Sequence, residues 1–472
     1  MTIDTKTNAK FECSVDGKVQ NCGERYAVGI DLGTTTISAA VIDLDTKEQV
    51  GVFTLPHESY IKRGDFSEQD VWLMLEKAES ILDGIYADCG NIECIGLTGQ
   101  MHGIVYVDER GAPLSNLMNW QDKRADLAID EKLSACEKIK ILTGENVSAG
   151  YGIATHFYNL AKGIVPKNAC SFCSIMDLLA LKLCGAKRVV VHTSVAASFG
   201  LFDIKEGCFM TDKLSALGID EAFLPRVTKE NEVVGDWRGI PVCVAIGDNQ
   251  ASFLGSVKDH SESVLVNFGT GSQISAVGDI CDIANGVELR PLIGGKNLLC
   301  GSALCGGAAY ALIEKFFRSY AQSAGFGDSS QYEIINDLAE KAYENGEKPL
   351  CVDTAFCGTR TDPCRRGKIE KIDMGNFTPS ALVLGVINGM CRELFDLYSG
   401  FKLKKTQIVA SGGAARKNKV LISVLEDIFG MTASLSTVKE EAATGAALFS
   451  ALTVGKATYS NGFGEYIKYD TP

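Results

Sequence analysis

The stretch Tyr26-Ala-Val-Gly-Ile-Asp31-Leu-Gly-Thr-Thr-Thr36-Ile-Ser-Ala-Ala-Val-Ile42 reads as a short β run, a Gly-Thr turn and a second β run. The same pattern returns where Val264-Leu-Val-Asn-Phe268 leads through Gly269-Thr-Gly-Ser272 into Gln273-Ile-Ser-Ala-Val277. A spacing this wide excludes a solenoid, so the chain is expected to hold two similar α/β domains, each opening on a hairpin. Further strands are expected at 94–98, 242–246 and 406–410, and amphipathic helices at 70–82, 379–398 and 420–429. The boundary is expected near 236–241, which gives domains at 25–241 and 242–472. Before them, residues 1–24 are polar and without hydrophobic period, the pattern of a flexible extension that carries no chemistry.

The chain has 472 residues, enough for two or three domains with full cores. Apolar residues at 46% and charged residues at 22% exclude disorder, collagen and a coiled coil. A net charge of −13 opposes a phosphate backbone and an anionic membrane surface, so neither is expected as a partner. No apolar run reaches the roughly 18–20 residues of a membrane span, and no signal-peptide core is visible, so a cytoplasmic location is expected. The 17 cysteines are odd in number and irregularly spaced, which suits reduced, buried thiols. The one CxxC, Cys170 to Cys173, has no second pair and no histidines at metal spacing.

Four constellations carry chemistry. In Asp31-Leu-Gly-Thr-Thr-Thr36 a glycine lets the backbone approach a phosphate, consecutive N–H and hydroxyl groups meet its oxygens, and the strand-end carboxylate suits Mg²⁺ or its water shell. Alone these residues make a plain hairpin turn; with the copy at Gly269 to Ser272 they form the two phosphate-grasping hairpins that an ATP-clamping fold requires. Gly247-Asp248-Asn-Gln-Ala-Ser252 sets an acid on a turn between a strand and a small-residue helix, as a helix cap or as a general base. Gly99-Gln100-Met101-His102-Gly103, followed by Trp120 and Asp122-Lys-Arg124, gathers the hydrogen-bonding groups and flat apolar face that suit a polyhydroxylated ligand. A core histidine with a packing tryptophan is the plainer account. Finally, Ser411-Gly412-Gly413-Ala-Ala415, ahead of Asn418 and a helix, is either a plain tight turn or a place where a flat base meets the backbone. Glu441-Ala-Ala-Thr-Gly445-Ala446 then opens a small-residue helix.

In this order the motifs make the chain, from Tyr26 to about Leu452, resemble the FGGY family of carbohydrate kinases, within the group that shares the actin, hexokinase and Hsp70 ATPase core. The resemblance implies an α/β fold of two duplicated domains flanking a deep cleft, with the sugar on the N-terminal domain and ATP on the C-terminal one. It implies phosphorylation of a ketose at its terminal primary hydroxyl, with Mg²⁺ and ATP. By position it makes Asp31, Thr34, Thr35 and Thr36 the first phosphate loop, and Gly269 and Thr270 the second. Gly307, Gly412, Gly413 and Asn418 become nucleotide-pocket residues, and Gln100, Met101, His102, Trp120, Asp122, Tyr151 and Asn249 become sugar-side residues. Asp248 becomes the general base, also contacting the sugar, and shares the metal with Asp31.

Gly99-Gln-Met-His-Gly103 is similar to both xylulokinases and sedoheptulokinases, so it implies a ketose rather than glycerol. Gly247 to Ser252, Ser148-Ala-Gly-Tyr-Gly-Ile-Ala-Thr155 and Ser302-Ala-Leu-Cys-Gly-Gly307 lean toward sedoheptulose, with D-xylulose or another pentulose as the alternative. Room for the longer sugar is expected at Gly150, Gly152 and Ala154. One departure is Gly358-Thr359-Arg360 where many relatives carry Gly-Glu-Arg, which leaves Arg360 for phosphates or interdomain contacts. The small-molecule partners are the sugar and ATP, and the expected assembly is a monomer or homodimer. A chaperone or filament on the same core needs an interaction domain that is not visible, and a silent sugar sensor has no need of Asp248 with both hairpins.

Overall fold

The computed structural model of the chain describes residues 23–278 and 286–470. The expected extension lies outside the described residues up to residue 22, and its last two positions are tied down: Tyr26 Oη donates to the Gly23 carbonyl at 2.7 Å and the Glu24 N–H donates to Asp45 at 3.2 Å. Two units emerge. The first comprises residues 1–255 together with 439–458, and the second residues 256–438 with 459–472.

The first unit is built on a seven-stranded sheet. Its strands are β1 (Tyr26–Leu32), β2 (Thr36–Asp43), β3 (Glu48–Pro56), β4 (Ile92–Gly99), β5 (Val233–Trp237), β6 (Ile240–Cys243) and β7 (Ile246–Gly247). The spatial order is β5-β6-β4-β1-β2-β3, with β7 also pairing β4. β1, β2 and β3 form an antiparallel meander, whereas β4 runs parallel to β1 and β6 parallel to β4.

The second unit repeats this plan with β8 (Ser263–Phe268), β9 (Ser272–Val277), β10 (Val287–Pro291), β11 (Asn297–Ala303), β12 (Gln407–Ser411), β13 (Thr432–Ser436) and β14 (Tyr469–Asp470), in the order β10-β11-β9-β8-β12-β13-β14. Here too the opening hairpin, β8 and β9, is antiparallel, and its first strand takes a parallel partner, β12, on the other side, which β13 joins in parallel. The duplication expected from the two Gly-Thr hairpins holds at the level of sheet topology.

Burial explains the hairpins. Strand β1 is buried on both faces, as suits a central strand held between β2 and β4. The helix Val71–Cys89 is started by Asp70, whose carboxylate accepts the N–H groups of Trp72 at 2.9 Å and Leu73 at 3.2 Å, and it buries Val71, Met74, Leu75, Ala78, Ile81 and Leu82 at helical spacing.

The expected boundary at 236–241 falls inside the first sheet. β5 and β6 are an antiparallel pair, β6 joins β4, and the single strand expected at 242–246 is divided between β6 and β7. Asp248 therefore belongs to the first unit. So does the late helix Glu441–Thr453, which lies against β1 and β4 so closely that a Cβ on Gly29 or Gly96 would overlap the carbonyls of Ala443 or Ala446. A Cβ on Gly445 would likewise overlap Ala251 of the helix Asp248–Ser256. No described helix is long and apolar enough to cross a membrane.

Candidate functional site

In the first unit, Asp31 sits one residue from the end of β1, level with Ser38 on β2 and, through Ser38, with Thr54 on β3. Its Oδ1 is enclosed and has no hydrogen-bond partner among the described residues. Burial first, then the charges of Asp248 and Glu440, push its carboxyl up to about 8. A buried carboxyl group in the field of two further acids suits a divalent cation that keeps most of its water and takes one or two carboxylates. It does not fit an all-protein cage: among the described residues no three His, Cys, Asp or Glu side chains converge for a metal. Asp248 follows β7 directly and opens its helix, with Asn249 beside it in the first turn.

The Gly33 to Thr36 turn is held by its carbonyls. Leu32 O accepts the Gln100 N–H at 2.9 Å, Gly33 O accepts Gln100 Nε2 at 3.1 Å and His57 Nε2 at 3.3 Å, Thr34 O accepts Gln69 Nε2 at 2.8 Å, and Thr35 O accepts the His57 N–H at 3.2 Å. With its carbonyls engaged by the protein, the turn does not set them against an anion. His57 is buried, and burial lowers its pKa, so it stays the neutral tautomer that accepts from Ser59 at Nδ1 and donates from Nε2.

The residues expected on the sugar side divide into two sets. Trp120 is 45% exposed, donates from Nε1 to Thr34 Oγ1 at 3.0 Å, and lines an open groove of about 690 Å³ with Lys62, Lys123 and Ser148. His102 stacks on Tyr151 with ring centroids 4.5 Å apart, and its Nδ1 lies 2.8 Å from Ser198 O, which assigns the ring proton to Nδ1 and makes Nε2 the acceptor. The other set is interior. Asp122 is fully enclosed and binds Arg124 through both oxygens, at 2.8 and 3.0 Å, while accepting the Ser67 N–H at 2.8 Å. Gln100 spends its Nε2 on Gly33 and Gln69, and Met101 is buried against Gly247. These three are engaged by the protein's own groups.

The room expected at Gly150, Gly152 and Ala154 is filled. A Cβ on Gly150 would strike the Trp120 backbone, one on Gly152 would meet Ile104 Cγ2 at 2.6 Å and Phe199 Cδ1 at 2.8 Å, and Ala154 is buried. These residues are small because the protein itself presses on them.

In the second unit, Gly269 O accepts the Gly307 N–H at 2.9 Å and Thr270 O accepts the Ala308 N–H at 3.0 Å, which fastens the second hairpin to the start of the helix Gly307–Ser323. A cavity of about 390 Å³ is lined by Gly307, Tyr310, Tyr332, Asn336, Gly413 and Asn418. Gly413 faces open space, whereas Gly412, at φ 92°, lies behind it against Phe268 O. Asn418 caps the helix Lys419–Phe429 through Leu421 N at 3.1 Å. Its Nδ2 and Tyr310 Oη both donate to Asn336 Oδ1, which turns the Asn336 amide nitrogen outward as a donor. A cavity with small residues, two tyrosines and an amide donor suits a nucleobase. Arg360 is engaged by Glu288 at 2.7 Å and lines a separate cavity of about 560 Å³. The described cysteines, Cys170 and Cys173 included, are free thiols.

Sequence reasoning missed His57, Gln69, Glu440, Tyr310, Tyr332 and Asn336. Only Glu440 had a signal, the small-residue helix that starts beside it.

Residues 26–255 match the N-terminal domain, and residues 295–454 the C-terminal domain, of the FGGY family of carbohydrate kinases. The chain is 24% identical to mouse (Mus musculus) sedoheptulokinase over 85% of its own length and 92% of the relative. It is 28% identical to glycerol kinase 2 of Sulfolobus acidocaldarius, over 92% and 90%. Among solved structures, a ligand-bound xylulose kinase from Lactobacillus acidophilus shares the fold with a TM-score of 0.80 at 20% identity, covering 95% of this chain and 93% of that one.

Proposed function

The chain belongs to the FGGY family of carbohydrate kinases, phosphotransferases that use ATP on a sugar, and from that premise we propose that it phosphorylates the terminal primary hydroxyl of a ketose, sedoheptulose first. The observation that carries the reading is Asp31 near the end of β1, whose Oδ1 is buried without a partner among the described residues and whose carboxyl feels the charges of Asp248 and Glu440. Asp248 accepts the hydroxyl proton while that oxygen forms its bond to the γ-phosphorus and the bond to the β-bridging oxygen breaks, so that ADP leaves. Asp31 and Asp248 would hold Mg²⁺, which supplies neutralisation of phosphate charge when bound. The Thr34 turn and Thr270 present donors to the phosphates, and Tyr310, Asn336 and Gly413 seat the base. His102 Nε2 accepts from a sugar hydroxyl, and Trp120 offers the flat face.

The likeness to mouse sedoheptulokinase supports the seven-carbon sugar, and the likeness to a glycerol kinase makes glycerol the control substrate. Xylulose is the second reading, because the stretch Gly99 to Gly103 is similar to xylulokinases as well as to sedoheptulokinases. ADP release measured with sedoheptulose, xylulose, ribulose and glycerol tests both. Sedoheptulose is expected to exceed xylulose in kcat/KM by at least about tenfold, the low end of what one pocket contact supplies. Equal or better turnover of xylulose transfers the assignment to it, and no sugar-dependent release rejects the kinase reading.

A further inference from the structure

The segment from His192 to Phe199 carries no phosphate, sugar or nucleotide motif, yet it holds two residues of the acceptor side. It forms two short helical stretches, Thr193–Ala196 and Ala197–Phe199. Ser194 Oγ accepts the Gly247 N–H at 3.1 Å, and Gly247 is the residue from which Asp248 follows. The one proton of that hydroxyl goes to His192 Nδ1 at 2.8 Å, a nitrogen that also accepts the Ser194 N–H at 3.2 Å. His192 is fully buried, and burial brings its pKa down to about 4, so Nδ1 remains an acceptor at neutral pH.

One turn further on, Ser198 Oγ donates to Val195 O at 2.7 Å and accepts the His102 N–H at 3.1 Å, while Ser198 O accepts His102 Nδ1 at 2.8 Å. His102 stands at φ 73°, a left-handed conformation that a side chain adopts at a cost, and both bonds to Ser198 hold it there. Four residues apart, the two serines project from one side of a turn. Both are buried, so they act through the groups they bind.

We propose that Ser194 and Ser198 are a pair of positioning residues: Ser194 sets the turn that presents Asp248, Ser198 sets the backbone and ring of His102, and the single turn between them fixes the proton acceptor relative to the sugar-side histidine. This rests on the reading of Asp248 and His102 given above. A displacement of about 1 Å in such a frame costs about 100-fold in rate, far more than the loss of one neutral hydrogen bond would suggest.

The test uses the full chain and its Ser194→Ala and Ser198→Ala variants. Sugar-dependent ADP release, Tm and hydrogen exchange at the Gly247 and His102 amides are measured on each. Ser194→Ala is expected to lower kcat at least about tenfold with the sugar KM within about threefold, and to speed exchange at Gly247. Ser198→Ala is expected to raise the sugar KM at least about fivefold with kcat within about threefold, and to speed exchange at His102. Variants that keep both constants within about threefold of wild type overturn the proposal. So do variants whose kcat and KM worsen together in step with Tm. A wild-type chain without sugar-dependent ADP release overturns the kinase reading instead, and this proposal with it.

Discussion

Asp248 is the first residue of its helix, and Asp248→Asn keeps the shape of the side chain while removing its proton acceptor. The variant is expected to keep Tm and ligand binding while kcat falls by about 10²–10⁴, the value of a general base. Retention of more than about a tenth of wild-type kcat would place the base elsewhere. Gly152 gives a second residue-scale test. A methyl group there meets Ile104 and Phe199, so Gly152→Ala is expected to cost about 1–3 kcal/mol of stability and to lower kcat/KM for sedoheptulose and xylulose alike. A changed ratio between the sugars at unchanged Tm would restore this glycine to the sugar pocket. At this scale the sequence is partly legible. Asp31, Asp248 and Trp120 announce themselves because each ends a strand or a motif, whereas His57 and Gln69 do not. Those two act by donating to carbonyls of a turn many residues earlier, and nothing in their own surroundings reveals that partner.

The elements were legible where local pattern decides them. Both Gly-Thr hairpins and the helix capped by Asp70 follow from periodicity and turn chemistry over a few residues. The expected boundary failed because β5 and β6 find their place by pairing with β4, a strand far upstream. The helix Glu441–Thr453 was recognisable as small-residued, but not as a member of the first unit. Its glycine and alanine positions allow backbone-to-backbone approach, and the glycines on the other side of that contact stand on β1 and β4. Two alanine substitutions measure what this closeness is worth. Gly96→Ala drives a methyl group into the Ala446 carbonyl and is expected to cost about 3 kcal/mol or more, at the top of the overpacking range. Gly84→Ala, in the middle of the helix Val71–Cys89 with nothing within 4 Å, is expected to gain about 0.5–1 kcal/mol. Urea midpoints compare the two directly. Equal effects would mean that the contact relaxes freely.

Across the described residues, three histidines besides His57 are buried in the neutral form: His156 and His192 with pKa values lowered to about 4, and His260 to about 3, burial being the leading cause in each. The unfolded chain protonates them near 6.5 and the folded chain does not, so stability is complete above that pH and declines as the pH falls toward 4. Each histidine withdraws about 1.4 kcal/mol per pH unit across that window. Since two lie in the first unit and one in the second, thermal unfolding is expected to shift to lower temperature in both units between pH 7 and 5. A Tm unchanged over that interval would show that these rings take up protons in the folded state. The return of residues 439–458 to the first unit also sets a timetable for the ribosome. Synthesis runs from the amino end, so β1 and β4 emerge early, and their glycine-lined surface waits roughly 20–70 s, at about 5–20 residues per second, for the helix that covers it. The amino-terminal unit therefore finishes folding only after most of its successor has been made. A nascent chain stalled before residue 439 is expected to leave that surface open to chaperones, and a peptide spanning 439–458, added in trans, to close it.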